Sequence, residues 1–270
     1  MSRPEKRQRQ PLRRSSDLPQ LPPELAARLR LLTPARVGLG RSGVSLETRE
    51  LLDFSRCHAM ARDAVHARLE TASLAAALGA IAGGNVLRAH SAAADRATYL
   101  QRPDLGRLLD EPSRKLLAEA GQVGGYELSL VVADGLSALA VERHAMPLLT
   151  ELLPRLRDWK LAPLCVVEQG RVAIGDEIGE KLGAQMAVVL IGERPGLRSP
   201  HSLGAYITWE PRRGRTDAER NCISNIRPEG LSYAQAAAEL AFILMEARRL
   251  KLTGVNLKPE MRQLGSATGP

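Results

Sequence analysis

The chain has 270 residues, enough for one large domain or two smaller ones, and 44% of them are hydrophobic. Its three cysteines lie far apart, which argues against a disulfide framework or a zinc site and fits a reducing cytoplasm. No apolar run approaches the roughly 20 residues that span a bilayer, and no hydrophobic region follows the N-terminal arginines as in a secretory signal. We therefore expect a cytoplasmic protein that does not enter a membrane.

Most of the net charge of +8 lies at the N-terminus. Residues 1–16 hold six basic residues and one acidic residue, whereas the rest of the chain is nearly balanced. A basic arm can bind nucleic acid through the phosphates, but a short segment rich in Pro, Arg, Gln and Ser is more typical of a solvated terminus. We interpret residues 1–23 as a disordered basic arm and do not expect nucleic acid as a partner. A scaffold or nucleic-acid-binding protein that uses this arm is the alternative.

Residues 24–122 are predicted to form a helical N-terminal portion without strands. An apolar stripe at three- and four-residue steps indicates a long helix from Thr48, which the alanine-rich residues 72–82 prolong. His58 lies on this stripe, so we interpret it as a packed core residue rather than a ligand; the stripe consists of Leu51, Phe54, His58, Ala61, Val65 and Leu69. Shorter helices are predicted over residues 24–32, 91–99 and 105–120.

Residues 123–257 alternate between strand and helix patterns, and residues 258–270 are expected to be a flexible tail. Buried strands are predicted over residues 128–133, 164–168, 187–191 and 203–209. Helices are predicted over residues 136–144, 147–159, 174–182 and 233–252. This alternation predicts an α/β fold, Rossmann-like, with a mostly parallel sheet and helices on both faces, preceded by the helical N-terminal portion.

The sequence GLGRSG at residues 38–43 matches the dinucleotide-binding pattern GxGxxG letter for letter. That fingerprint requires a strand before the glycines, a helix directly after them and a βαβ unit around them. Here a helix and Pro34 precede the motif, and a long helix rather than a second strand follows it. We therefore reject a nicotinamide-dependent oxidoreductase and expect a loop flattened for close backbone packing, for example against another chain.

Two predicted strands end at charged residues. The run that ends in IGERPGL at residues 191–197 brings Glu193 and Arg194 to the rim of the sheet, where open α/β sheets bind ligands. A solvated ion pair at an ordinary turn is the alternative. Asp134 follows another strand, and we expect it to cap the next helix, with a ligand-facing role as the alternative.

No assembled acid–base or hydrolytic centre is recognisable in the sequence. Motifs such as HExxH, GxSxG and DxHxxG are missing. Three acidic residues share the helix over residues 174–182 and suggest a metal site, but we expect two of them to face solvent; they are Asp176, Glu177 and Glu180. Cys222 is either a small buried hydrophobic residue or part of a cleft beside Glu193.

Seven segments of the chain resemble the small subunit of ethanolamine ammonia-lyase, a coenzyme B12-dependent enzyme, and occur in the family's order. They cover roughly residues 35 to 257, and seven segments in order are far more specific than any one of them. The segments are ARVGLGRSG at 35–43, TRELLDF at 48–54 with ARDAV at 61–65, YLQRPDLGR at 99–107, VADGLS at 132–137, GRV at 170–172, IGERPGL at 191–197 and CISNI at 222–226.

The resemblance implies a carbon–nitrogen lyase that converts ethanolamine to acetaldehyde and ammonia by radical chemistry. In this family the substrate site lies mainly in a barrel-shaped large subunit, and the small subunit completes the site of adenosylcobalamin between the two chains. The cofactor carries the difficult chemistry, so the small subunit needs no catalytic residue of its own. The family also suggests a hetero-oligomer with six copies of each chain, in some bacteria inside a microcompartment.

Carried over residue by residue, the family's cobalamin contacts fall on Val172, Glu193 and Cys222. The resemblance implies backbone or apolar contact by Val172 and hydrogen bonds from the corrinoid to Glu193. At Cys222 it implies contact with a small, polarisable side chain. Because the family keeps the cofactor's own benzimidazole on cobalt, no metal ligand is expected from this chain. Residues 123–257 would then form the cobalamin-binding domain.

Overall fold

The computed structural model describes residues 21–33, 35–42, 45–121 and 125–257. The chain divides into two compact units, which meet in the sequence between Met60 and Ala61. Nearly all of the arm expected over residues 1–23, and the tail expected over residues 258–270, lie outside the described residues. No helix among the described residues is long and apolar enough to cross a membrane.

In the first unit a glycine loop packs against a short helix. Helix α1 (Pro23–Leu32) is followed by two short antiparallel strands, β1 (Arg41–Ser42) and β2 (Ser45–Leu46). Gly38 has φ +58°, and a Cβ atom there would lie 2.5 Å from the Cβ of Ala26 in α1. Only glycine allows both this conformation and this approach. The expected close packing of the GxGxxG loop is therefore confirmed at Gly38, and a helix rather than a strand precedes the loop.

The long helix is shorter and more exposed than the sequence predicted. Helix α2 (Thr48–His66) ends before residue 72, and the alanine-rich segment forms a separate helix, α3 (Thr71–Ala82), which ends at Gly83 with φ +69°. His58 is exposed, so its interpretation as a core residue is wrong. Its ring stacks on Phe54 with 6.1 Å between centroids, and Phe54 itself is 40% exposed. The first half of the apolar stripe is therefore largely exposed, with Leu51 52% exposed, and Phe54 also lies against the guanidinium of Arg36, 5.6 Å from its ring centre.

The second unit contains a six-stranded sheet in the order β3-β5-β4-β6-β7-β8. Its strands are β3 (Leu87–His90), β4 (Tyr126–Ala133), β5 (Cys165–Glu168), β6 (Ala184–Gly192), β7 (Leu203–Trp209) and β8 (Arg220–Ile226). The first four are parallel, and the last two pair antiparallel. The mostly parallel sheet is confirmed. The expectation that no strand precedes residue 120 is wrong, because the short edge strand β3 pairs with β5.

Helices cover both faces of the sheet, as expected for an α/β fold. Alternate residues of a strand point to opposite faces, and accordingly Leu130 and Val132 of β4 belong to one apolar core whereas Val131 and Ala133 belong to the other. Helices α3, α6 (Ala138–Leu152) and α8 (Tyr233–Leu250) pack on the first face, and α5 (Glu111–Ala120) and α7 (Ile174–Leu182) on the second. The predicted break near residue 147 is wrong, since α6 continues through Pro147.

Buried ion pairs attach α7 to its neighbours. Asp176 and Glu177 are 2% and 1% exposed, so the expectation that two of the three acidic residues of this helix face solvent is wrong. Asp176 binds Arg220 of β8 through two hydrogen bonds of 2.5 and 2.7 Å. Glu177 accepts from Arg114 of α5 at 2.7 Å. Both carboxylates form ion pairs with arginines. No cluster that could hold a metal occurs among the described residues.

Replacing Asp176 by Asn should destabilise the protein strongly. The substitution leaves the buried guanidinium of Arg220 with only the exposed carboxylate of Asp217, at 3.5 Å, as a counter-charge, and breaking a buried ion pair from one side costs about 3–5 kcal/mol. Urea unfolding followed by circular dichroism measures this loss. Glu180→Gln on the exposed side of the same helix is the control and should change the unfolding free energy by less than about 0.5 kcal/mol. Equal stability of the two variants would contradict the role of the pair.

Candidate functional site

A cleft of about 560 Å³ opens at the carboxyl ends of β4 and β6. The chain leaves β4 into α6 on one face of the sheet and leaves β5 into α7 on the other. This is the switch point at which open α/β sheets bind ligands. The lining residues come from helix α4 (Arg96–Gln101) and from the strand ends: Tyr99, Leu136, Arg171, Val172, Ile191, Gly192, Glu193, Arg194, Ser199, Ser202, Tyr206, Ser224 and Asn225.

Two glycines bring the ends of β4 and β6 together. The backbone N–H of Leu136 donates to the carbonyl of Gly192 at 2.9 Å. A Cβ on Gly135 would lie closer than 3.0 Å to that carbonyl, and a Cβ on Gly192 equally close to the carbonyls of Asp134 and Ser137. Gly135 also has φ +59°, a conformation that favours glycine. The glycine at the end of the IGERPGL strand is therefore required for the backbone contact that forms one wall of the cleft.

Glu193 joins three strands at the rim of the cleft. Its Oε2 accepts from the hydroxyl of Ser202 at 2.5 Å and from the backbone N–H of Asn225 at 3.1 Å. Its Oε1 accepts from the hydroxyl of Ser224. A bulge in β8, where the register shifts against β7, brings both β8 groups to the carboxylate. The alternative of an ion pair between Glu193 and Arg194 is not observed, because the carboxylate binds hydroxyl and amide donors.

The structure brings two of the three residues named by the resemblance into the lining. Val172 and Glu193 both line the cleft. Cys222 does not, but it is paired in register with Tyr206, which does. The Cys222 side chain is exposed, and desolvation of its thiol raises the pKa, so the thiol is protonated at neutral pH. Cys222 is thus a neutral group next to the cleft rather than the buried hydrophobic residue of the first alternative.

Behind the cleft, buried polar groups fix the loop that carries Arg171. Asp134 is 2% exposed; it accepts from the N–H of Gly170 at 3.0 Å and pairs with Arg96 at 3.5 Å. Desolvation raises the pKa of Asp134 to about 6. The expectation that Asp134 caps the next helix is wrong, because Ser137 is the residue that caps α6.

The lining residue Tyr99 is fully buried and anchors Arg171. Its hydroxyl donates to the carbonyl of Gly170 at 3.2 Å, and burial raises its pKa. The guanidinium of Arg171 lies 4.1 Å from the centre of the Tyr99 ring and donates to the Tyr99 carbonyl at 3.0 Å. Reasoning from the residues alone did not select Tyr99 or Arg171, although both occur in segments that carry the resemblance.

The chemistry of the cleft is that of binding. Among the described lining residues Glu193 is the only carboxylate, and there is no histidine or cysteine. The carboxylate already accepts three hydrogen bonds, and no basic side chain in the described part of the chain forms an ion pair with it. The arrangement offers apolar contact, hydroxyl and amide groups, and two guanidinium groups to a ligand.

Replacing Gly192 by Ala should disrupt the wall of the cleft and the fold around it. The added methyl group meets two backbone carbonyls, which cannot move as a flexible side chain would. We expect a loss of about 3 kcal/mol or more in unfolding free energy, the upper range for an overpacked core. Gly84→Ala is the control, since a Cβ there has open space and no positive φ is required. Unchanged stability of the Gly192 variant in urea unfolding would refute the requirement.

Comparisons with known proteins agree with the resemblance to the ethanolamine ammonia-lyase small subunit. Residues 23–258 match the family model described as ethanolamine ammonia-lyase light chain. A protein of Ralstonia nicotianae named ethanolamine ammonia-lyase small subunit is 59% identical over 85% of this chain and 86% of its own length. Proteins with the same name are 59% identical in Pseudomonas paraeruginosa, over 86% of each chain, and 58% identical in Azotobacter vinelandii, over 90% of this chain and 92% of the relative.

Both the extent of these matches and their identity are high. The family model covers most of the chain, including every residue described in the cleft. The matches cover 86% to 92% of the length of these relatives, so the similarity is not limited to one shared module. The chain therefore belongs to the ethanolamine ammonia-lyase light-chain family, whose members are subunits of a two-subunit lyase.

Proposed function

We propose that this chain is the small subunit of an adenosylcobalamin-dependent ethanolamine ammonia-lyase, and that its cleft holds part of the cofactor against the large subunit. The observation that carries the proposal is the cleft at the switch point of the sheet, lined by Val172 and Glu193 and flanked by Cys222. The similarity to small subunits over most of the chain supports the same function. Assembly as six copies of each chain, inside a microcompartment in some bacteria, is part of the proposal.

The residues of the cleft fit one part of a corrinoid. A volume of about 560 Å³ is within the range of pockets that bury a drug-sized ligand, and a corrinoid is larger than that. The chain would therefore cover one side of the cofactor and leave the rest to the partner. The Nε of Arg171 is buried without an acceptor among the residues that the structure describes, which supports a polar ligand in the completed site. When bound, adenosylcobalamin supplies the radical chemistry that converts ethanolamine to acetaldehyde and ammonia.

Each named residue has a defined part in holding the cofactor. Val172 precedes α7 and offers an apolar surface and its backbone. Glu193, as an ionised carboxylate, has about four acceptor positions, of which three are used within the chain. The fourth can accept a hydrogen bond from an amide on the periphery of the corrinoid. The protonated thiol of Cys222 forms a small neutral wall that repels neither the amides nor the ring.

Activity of the reconstituted enzyme tests the proposal. The chain, the large subunit of the same organism and their co-purified complex are each assayed for acetaldehyde release from ethanolamine with adenosylcobalamin. We expect release only from the complex, because each chain holds part of the site. A variant that lacks residues 1–16 should still support turnover, whereas a nucleic-acid-binding protein would lose its salt-sensitive affinity. Normal turnover by the large subunit alone would contradict the proposal.

The variant Glu193→Ala in the complex should weaken cobalamin binding about tenfold or more, because a hydrogen bond to a charged group contributes about 1.5–3 kcal/mol. The KM for ethanolamine should stay largely unchanged, since the substrate is bound by the large subunit. Spectroscopic titration with cyanocobalamin gives the affinity, and steady-state kinetics at saturating cofactor gives the KM. Glu119→Ala, on the exposed side of α5, is the charge-matched control. An unchanged affinity in the Glu193 variant would remove this residue from the cofactor site.

A further inference from the structure

The cleft is lined by more positively charged than negatively charged side chains. Two guanidinium groups, those of Arg171 and Arg194, line it together with one carboxylate, that of Glu193. The oxygens of the carboxylate accept three hydrogen bonds from uncharged donors. Within the described part of the chain, neither arginine forms an ion pair. The cleft therefore presents positive charge that its own residues do not neutralise.

Arg171 is held in place but keeps free donors. Its guanidinium packs over the ring of Tyr99, and one terminal nitrogen donates to the Tyr99 carbonyl. The Nε is buried and has no acceptor among the described residues. A buried donor without a partner costs free energy, and an acceptor on a bound ligand would remove that cost. The packing fixes the direction of the remaining donors, so little side-chain entropy is lost on binding.

The surroundings of Arg171 add to the positive potential. Arg171 and Val172 lie just before α7, whose N-terminus carries a partial positive charge from the helix dipole. The two carboxylates in the first turn of that helix do not cancel it, because Asp176 is bound by Arg220 and Glu177 by Arg114. Arg194 lies on the β6 side of the cleft and is exposed, so its side chain is free to reach a ligand.

We infer that Arg171 and Arg194 form an anion-binding wall that holds the phosphodiester of the cofactor's nucleotide tail; this inference rests on the proposed function. Guanidinium groups bind phosphate oxygens through paired hydrogen bonds. The amides around a corrin ring are neutral, and the phosphodiester is the anionic group of the molecule. Ethanolamine is a cation at neutral pH, so the same wall repels it. The wall thus directs the nucleotide tail of the cofactor to this chain.

The test compares two corrinoids on the complex of both subunits. Cyanocobalamin contains the nucleotide tail with its phosphodiester, whereas cobinamide lacks the phosphate, the ribose and the base. Their dissociation constants are measured by spectroscopic titration for the wild type, Arg171→Gln, Arg194→Gln and Arg157→Gln. Arg157 is an exposed arginine near the strand start of β4, at the other end of the sheet from the cleft, so its variant is the charge-matched control.

We expect Arg171→Gln and Arg194→Gln each to weaken cyanocobalamin binding about tenfold or more and to leave cobinamide binding within about twofold of the wild type. The control should bind both corrinoids normally. Because Arg194 is exposed, its variant should fold even if the loss of Arg171 disturbs the packing on Tyr99. Equal weakening of both corrinoids, or no weakening of either, would overturn the phosphodiester wall. Failure of the wild-type complex to bind either corrinoid would instead overturn the proposed function, and the wall with it.

Discussion

The site depends on the contact between the backbones of Gly135 and Gly192. At this point the turn after β4 and the end of β6 approach so closely that one carbonyl accepts the N–H of Leu136, and no side chain fits between them. Because β6 ends there, the chain turns outward into the segment of Glu193 and Arg194. Glu193 then donates its N–H to the carbonyl of Ser202 at 3.0 Å and draws β7 and β8 to the rim. One steric constraint thus sets the wall of the cleft that the ends of β6, β7 and β8 form.

The opposite wall is held by charge rather than by steric fit. Asp134 at the end of β4 binds the N–H of Gly170 and the guanidinium of Arg96, so the loop after β5 is attached to the strand beside it. Gln169 in that loop has φ +55°, a conformation that is costly for a residue with a side chain. The hydrogen bond from Gly170 offsets this cost. Arg171 and Val172 are therefore positioned by buried groups that themselves never reach the cleft.

The sequence predicted most reliably those elements whose pattern is set by local spacing. Helix α7 and strand β7 have the predicted bounds to the residue, because each combines a full apolar face with clear ends. Strand β3 was missed, since a four-residue edge strand with the exposed residue Arg88 has no apolar run. Asp176 and Glu177 look like solvated charges along the helix, and their partners Arg220 and Arg114 are 44 and 63 residues away. Such pairs cannot be derived from spacing alone.

For the site residues too, local spacing predicted the position in the fold, whereas the contacts depend on residues far away in the chain. The apolar run before Gly192 was sufficient to predict that Glu193 lies at the carboxyl end of a strand. It was not sufficient to predict what the carboxylate does, because its donors Ser202 and Ser224 come from strands whose register includes a bulge. With those donors bound, the carboxylate of Glu193 is held in a fixed orientation at the rim of the cleft. Among the described residues the carboxylate thus connects three strand ends, and this position is what the proposed contact with a neutral amide of the cofactor relies on.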